Sequence, residues 1–204
     1  GCIGRPVQIV AVRGGHLPTR RPNYAGTYYA NRSEGGGVLH DILSHVFNAA
    51  EWLVGPIDRL AADTTHACVP GVDVEDTVQV IARHGSVLGT YTVNQHQPVA
   101  EFTLAINGTA GSLRVVFHEH RWQVATRPDG GWSSHEISPL DPAEWFALQA
   151  RAFLAVLDRG AELPCSLAGG VTTLHAILAA CRAVGRADRW VEVDYHVNQP
   201  APPF

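Results

Sequence analysis

The 204-residue sequence contains no methionine and no basic cluster longer than Arg20-Arg21. With a formal net charge of −4, it lacks the basic patch that a nucleic-acid-binding surface requires. All its apolar runs fall short of the roughly 20 residues that cross a bilayer. We therefore expect neither a nucleic-acid partner nor a membrane-spanning segment.

Cysteines are few and form no CxxC pair; they are Cys2, Cys68, Cys165 and Cys181. This spacing argues against a zinc ribbon or a redox dithiol and favours a reduced, cytoplasmic protein. Eleven histidines raise the question of a metal site, with His40, Asp41 and His45 as one ligand set. Because no HExxH-type spacing occurs and His40 points about 100° away from Asp41 on a helix, we predict no metal.

Apolar residues make up 46% of the chain, which suffices for one sizeable core and predicts a single globular domain. The sequence opens with GCIGRPVQIV, which already has the pattern of a strand. We therefore expect that an earlier part of the fold precedes Gly1. The domain is predicted to cover residues 1–193, followed by a C-terminal tail at 194–204 whose end, from Gln199, lacks order.

Turn signals at hairpin-like intervals predict a mostly antiparallel sheet. The strands are expected at 5–13, 57–66, 75–83, 86–94, 100–107, 111–117 and 190–193, with a weaker strand at 120–126. Residues 14–37 are rich in Gly, Pro, Arg, Asn and Tyr. This segment is too irregular for an element of its own and long enough to be functional.

Three helices are predicted. An apolar stripe runs from Val38 to Val54 and stops at Gly55-Pro56. Asp141-Pro142 begins a second helix that runs to about Leu157, and a third covers 171–184. The predicted fold class is therefore α+β, a mixed, mostly antiparallel sheet with helices packed on one face.

The first predicted helix carries Asp41 and His45 four residues apart, so both side chains would project from one face about 40° apart. Asn48 and Trp52 continue this polar row. A carboxylate beside an imidazole stabilises the protonated ring and orients it, so that histidine exchanges a proton near neutral pH. Asp41 would orient and His45 would transfer the proton. The alternative is a solvated surface pair, which is common at this spacing.

Several motifs occur in order along the chain. They are GGGVLHDILSH at 35–45, WLVG at 52–55, EDT at 75–77, INGTAGSL at 106–113, and F-x-x-Q-x-x-x-F with a later glycine at 146–160. In order and spacing, they resemble the GGG-x-L-x-D-x-x-x-H…WL-x-G signature and the later motifs of Gfo/Idh/MocA oxidoreductases. The resemblance covers about residues 1–193.

This resemblance implies a two-domain enzyme whose N-terminal Rossmann domain binds NAD or NADP. The C-terminal domain then supplies the substrate wall and an open sheet face for homo-oligomerisation. Only the second domain corresponds to this chain, which has no GxGxxG fingerprint and no counterpart of the family's E-K-P lysine. By the same resemblance, His45 is the acid/base at a substrate hydroxyl or carbonyl, and Asp41 is its partner. The isolated chain is expected to be inactive.

Further substrate-binding residues are predicted in the loop before the first helix and at a strand end; they are Asn23, Arg32, Asn94 and His96. Guanidinium and amide groups of the loop suit dense hydroxyl or phosphate groups, although loop arginines are often only solvated. Asn94 and His96 end a strand that in relatives of the family reaches the substrate pocket. A capped surface histidine is the alternative for His96.

Together, these features predict the C-terminal, substrate-binding domain of an NAD(P)-dependent oxidoreductase. Its small-molecule substrate is expected to be a sugar, polyol or related hydroxy/keto compound. The alternative is a non-catalytic dimerisation or ligand-binding module with the same fold.

Overall fold

A computed structural model describes residues 1–139, 141–162, 165–186 and 189–195. It contains a nine-stranded sheet made of β1 (Pro6–His16), β2 (Arg59–Thr65), β3 (Thr77–His84), β4 (Val87–Asn94), β5 (His96–Gly108), β6 (Ser112–Val116), β7 (Arg121–Ala125), β8 (Ser133–Glu136) and β9 (Val191–Glu192). The spatial order is β8-β7-β6-β5-β1-β4-β3-β2-β9. Among these strands, β1 and β4 are parallel and the other neighbours are antiparallel. The predicted mixed, mostly antiparallel sheet is confirmed.

The helices in the described ranges are α1 (Leu17–Arg20), α2 (Ser44–Val54), α3 (Pro142–Arg159) and α4 (Leu167–Ala183). α2 and α4 pack against each other, α2 also against β1 and α4 against β2. α3 begins with the predicted capping box between Asp141 and Glu144. α4 begins four residues before its predicted start, because the Ser166 hydroxyl accepts a hydrogen bond from the Gly169 N–H at 3.1 Å and caps the helix there.

The core lies between the sheet and the apolar side of α2. Phe47 is fully buried and meets Tyr91 of β4 edge to face, with ring centroids 5.2 Å apart. The Tyr91 hydroxyl lies 2.6 Å from Nε2 of His84, whose Nδ1 lies 2.7 Å from the Gly55 carbonyl. Burial lowers the pKa of His84, which favours a neutral ring that accepts from Tyr91 and donates to Gly55. This chain of bonds ties the end of α2 to β3.

Two predictions about local structure are wrong, and one strand was not predicted. Segment 14–37 does contain elements, namely the end of β1, α1 and three 3₁₀ turns. Two of these turns begin at Thr27 and Asn31, whose side chains accept hydrogen bonds from the N–H groups two residues ahead. The helix predicted over 38–54 opens with a π-helical turn at Leu39–Leu43, so the straight-helix angle between Asp41 and His45 does not apply. β8 was not predicted, because its residues are polar and exposed at the sheet edge.

The described residues end at 195, so most of the tail predicted at 194–204 lies outside them.

Glycines at the start of the π turn allow other parts of the chain to approach the backbone. A Cβ on Gly36 would lie 2.2 Å from the Tyr29 carbonyl oxygen, and one on Gly37 would lie 2.2 Å from Oε1 of Glu75. Gly37 also has a φ of +94°, which disfavours other residues. The GGG motif therefore provides room for a buried carboxylate and for the loop that precedes it.

We predict that Gly37→Ala lowers the free energy of unfolding by about 3 kcal/mol or more, because the new methyl group displaces a buried, paired carboxylate. The matched control is Gly35→Ala. Gly35 also has a positive φ, +82°, but an added Cβ would meet nothing within 4 Å. Gly35→Ala should lower the free energy of unfolding by only about 1–2 kcal/mol, through backbone strain. Urea denaturation of both variants measures the difference, and equal losses would contradict the role assigned to the Glu75 contact.

Candidate active site

A buried carboxylate determines where the π turn begins. Glu75 is 4% exposed, and its Oε1 accepts a hydrogen bond from the Leu39 N–H at 3.2 Å. Its backbone carbonyl accepts from the Val38 N–H at 3.0 Å. Unpaired N–H groups at a helix start favour an anion, so Glu75 acts as a cap contributed from a distant part of the chain.

Arg32, predicted to contact substrate, pairs with this carboxylate. Its Nη2 lies 3.0 Å from Oε2 of Glu75, although about half of the arginine side chain remains exposed. Asn23, the other predicted loop residue, is exposed and precedes the 3₁₀ turn Tyr24–Gly26. Its substrate role and that of Arg32 remain predictions.

The carboxylate of Asp41 is held by the preceding loop. Its Oδ1 accepts a hydrogen bond from the Tyr28 hydroxyl at 2.6 Å, and its Oδ2 lies 3.6 Å from Nη1 of Arg21. The hydrogen bond to Asp41, assisted by burial, raises the pKa of Tyr28 and keeps that hydroxyl a donor. Within the described ranges, no hydrogen bond or ion pair joins Asp41 to His45. The loop therefore orients Asp41.

His45 is exposed in the first turn of α2, next to the fully buried Val46 and Phe47. Its imidazole makes no hydrogen bond or ion pair with any described residue. Since the helix beneath it is packed into the core, the ring projects to solvent from a rigid base. Such a ring is able to exchange protons with solvent or with a ligand.

A small cavity of about 20 Å³, here named the Asp41 pocket, lies beside the π turn. Its lining residues are Gly15, Leu17, Arg20, Arg21, Asp41, Ile42 and Gln95. Gln95 is only 5% exposed, and its Oε1 has no hydrogen-bond partner among the described residues. Oδ2 of Asp41 is likewise buried without a hydrogen-bond donor. The pocket therefore presents two acceptors beside two guanidinium groups.

The two strand-end residues predicted to bind substrate flank Gln95 and do not line the pocket. Asn94 bonds through its side chain to Gln97, and Nε2 of His96 lies 3.1 Å from the Thr77 hydroxyl. Burial alternates along this stretch, so that Gln95 faces inward while its neighbours are half-buried. The functions predicted for Asn94 and His96 remain untested predictions.

A second cavity, of about 690 Å³, lies between α2 and the start of α4. Asn48 and Trp52 line it, and the Asn48 amide donates to the Thr173 hydroxyl at 3.1 Å. That hydroxyl donates in turn to Glu51 at 2.6 Å, while burial raises the pKa of Glu51. The polar row predicted on one helix face therefore divides, because Asp41 lines one cavity and Asn48 lines the other.

Within the described ranges, no three His, Cys, Asp or Glu side chains converge as metal ligands do. No helix among the described residues is both long and apolar enough to cross a membrane.

Comparison with known proteins identifies the family. A model of the GFO/IDH/MocA C-terminal domain matches residues 1–114, more than half of the chain. The chain belongs to the Gfo/Idh/MocA family. The predicted resemblance is thereby confirmed.

Relatives within the Gfo/Idh/MocA family include oxidoreductases of sugars. The chain is 27% identical over 188 residues to a 1,5-anhydro-D-fructose reductase of Ensifer adhaerens, a match that covers 90% of this chain and 55% of the reductase. It is 42% identical over 55 residues to an uncharacterized oxidoreductase of Synechocystis sp., covering 27% of this chain and 15% of that protein. The chain thus spans only part of the length of these relatives.

A solved structure of levoglucosan dehydrogenase in complex with NADH has the same fold. The two superpose with a TM-score of 0.82 at 22% identity, over 95% of this chain and 60% of the dehydrogenase. At this identity, the likeness establishes the fold of the Gfo/Idh/MocA C-terminal domain, as predicted from the sequence.

We predict that Arg32→Gln destabilises the domain by about 1–3 kcal/mol, because it leaves the buried Glu75 carboxylate without its counter-charge. Arg151→Gln on α3 is the control, since Arg151 is exposed and makes no ion pair with a described residue. Chemical denaturation of the two variants tests this expectation. Unchanged stability together with weakened ligand binding would instead support a substrate contact for Arg32.

Proposed function

We propose that this chain is the substrate-binding and catalytic domain of an NAD(P)-dependent oxidoreductase acting on a sugar, polyol or related hydroxy/keto compound. Family membership and the reductase and dehydrogenase relatives support the reaction class. Location in the reducing cytoplasm is part of the proposal, since the four cysteines are unpaired. The observation that carries the proposal is the exposed His45 one turn beyond the Asp41 pocket.

His45 is proposed as the acid/base that exchanges a proton with the substrate oxygen. The group for this task has to reach both ligand and solvent. An exposed imidazole in the first turn of a core-packed helix meets this requirement. No other part of the π turn or α2 offers an exposed histidine.

Asp41 is proposed as the partner of His45. It supplies a negative charge about one helical turn before His45. Because Tyr28 and Arg21 hold its carboxylate, that charge stays in place while the proton moves. Asp41 also lines the pocket and is therefore placed to accept a hydrogen bond from a substrate hydroxyl.

The glycines of this chain do not fit a dinucleotide phosphate. Gly36 and Gly37 pack against the Tyr29 carbonyl oxygen and the Glu75 carboxylate, both of which repel an anion. The chain matches 60% of the levoglucosan dehydrogenase chain and 55% of the reductase. We propose that NAD or NADP is held mainly by a region corresponding to the remainder of these relatives.

We predict that His45→Ala, made in an enzyme that includes the nucleotide-binding region, lowers kcat by about 10²–10⁴-fold, the usual contribution of a general acid/base. KM and stability should change little, because the imidazole makes no hydrogen bond or ion pair with a described residue. His135→Ala, on the exposed edge strand β8, is the matched control. Steady-state rates over a range of pH provide the measurement, and near-normal turnover of His45→Ala would remove this residue from the mechanism.

A non-catalytic ligand-binding or dimerisation module is the alternative function. The same experiment separates the two, since a module would bind its ligand with or without His45 and show no turnover in either case.

Homo-oligomerisation through the open sheet face is also proposed. On the face opposite α2 and α4, Ile81 is 49% exposed and lies in one cross-strand row with Thr90 and Val10. Leu88 and Val12 occupy the adjoining rows and are half-buried. These apolar side chains alternate with polar ones, among them Thr90 and Thr92, and such a mixed surface is open to a contact between subunits.

We predict that Ile81→Lys shifts the protein towards monomer, because a charge in a self-complementary contact is buried twice in each dimer. Ile81→Val keeps the surface apolar and serves as the control. Light scattering coupled to size-exclusion chromatography measures the mass of each species. A monomeric unsubstituted protein would count against the proposal.

A further inference from the structure

The Asp41 pocket carries an excess of positive charge. Arg20 and Arg21 line it together with a single acid, Asp41. Arg21 lies near that acid, whereas Arg20 has no ion pair among the described residues. Gly15 makes room for Arg20, since a Cβ there would lie 3.2 Å from its Nη1. The Arg20 guanidinium is therefore available to bind an anion.

A third arginine, Arg13, adds positive charge near the pocket. The Arg13 guanidinium lies over the Phe102 ring, 5.1 Å from its centroid. Burial and repulsion from Arg20 lower the pKa of Arg13, against an opposing attraction to Asp41. Arg13 and Arg20 thus repel each other near Asp41, and a bound anion would reduce this repulsion.

The pocket also needs hydrogen-bond donors. Oε1 of Gln95 and Oδ2 of Asp41 are buried and accept no hydrogen bond from a described residue. The backbone of Gln95 is fully used, because its carbonyl accepts from Leu17 and its N–H donates to Asp76. Leaving buried acceptors unpaired is costly, so a ligand hydroxyl that donates to them would be favoured.

We propose that the Asp41 pocket binds a polyhydroxy carboxylate, that is, a sugar acid. One hydroxyl of the ligand would occupy the cavity and donate to Asp41 and Gln95, while the carboxylate would lie outside the cavity on the exposed guanidinium groups of Arg20 and Arg21. This inference rests on the proposed function and narrows its substrate class. A carboxylate is favoured over a phosphate because the two unpaired acceptors of the pocket, on Asp41 and Gln95, would repel the additional anionic oxygens of a phosphate.

Calorimetric titration of the chain with D-glucuronate and D-glucose at low ionic strength tests the proposal. We expect the acid to bind at least about tenfold more tightly, because a guanidinium–carboxylate contact adds charge-assisted hydrogen bonds. Acetate, which has no hydroxyl group, should bind more weakly than glucuronate. Equal affinities for acid and neutral sugar, or no binding of the acid, would overturn the proposal. Tighter binding of glucose 6-phosphate would overturn the assignment of a carboxylate.

Substitutions of Arg20 test whether its guanidinium contacts the carboxylate of the ligand. Arg20→Gln should weaken glucuronate binding about tenfold and leave glucose binding unchanged, while Arg20→Lys should lose less, since it keeps the charge but not the planar fork. Arg151→Gln is the control, and melting curves check that each variant is folded. Wild-type glucuronate affinity in Arg20→Gln would overturn the proposal.

Assays of an enzyme that includes the nucleotide-binding region distinguish the sugar-acid proposal from the proposed oxidoreductase function. His45-dependent turnover of neutral sugars, without preference for acids and without effect of Arg20→Gln, rejects the sugar acid and leaves the oxidoreductase. Arg20-dependent binding of glucuronate without any turnover rejects the oxidoreductase and leaves the pocket.

Discussion

The contact between Glu75 and the start of the π turn is the constraint on which the candidate site depends. Its carboxylate caps Leu39, pairs with Arg32 and packs on Gly37, so that it joins three separate segments of the chain. A buried carboxylate is stable only when its charge is compensated. Because Arg32 and the Leu39 N–H compensate the charge of Glu75 in this arrangement, the direction of the following turns and the positions of Asp41 and His45 are determined with it.

The loop before the π turn balances the charge of two carboxylates. Arg32 forms an ion pair with Glu75, Arg21 forms one with Asp41, and the Tyr28 hydroxyl donates a hydrogen bond to Asp41. The buried Tyr29 lies between them, and burial together with Glu75 and Asp41 raises its pKa. Negative charge therefore accumulates on the inner side of this loop and positive charge on its outer side. Because its side chains hold both carboxylates in place, this loop is part of the candidate site.

Periodicity and capping signals predicted the sheet and helices because these patterns reflect local burial. The Asp141 cap and the apolar stripe of α2 are examples. The π turn was not predictable, since its side-chain pattern resembles that of an α-helix. The partners of Asp41 and Glu75 lie 13 to 43 residues away along the chain, and no local pattern encodes such pairings. The inward direction of Gln95 continues the alternation of Tyr91 and Val93, a local signal by which it could have been found.

Asp41 and His45 have opposite environments, and this difference suits them to the two different tasks proposed for them. A side chain that transfers protons has to exchange with solvent, which favours the exposed His45. A side chain that holds a ligand hydroxyl has to stay fixed, which favours Asp41, bound by Tyr28. Under the roles proposed for them, a substitution in the loop that holds Asp41 would alter ligand binding and leave the proton-transferring His45 intact.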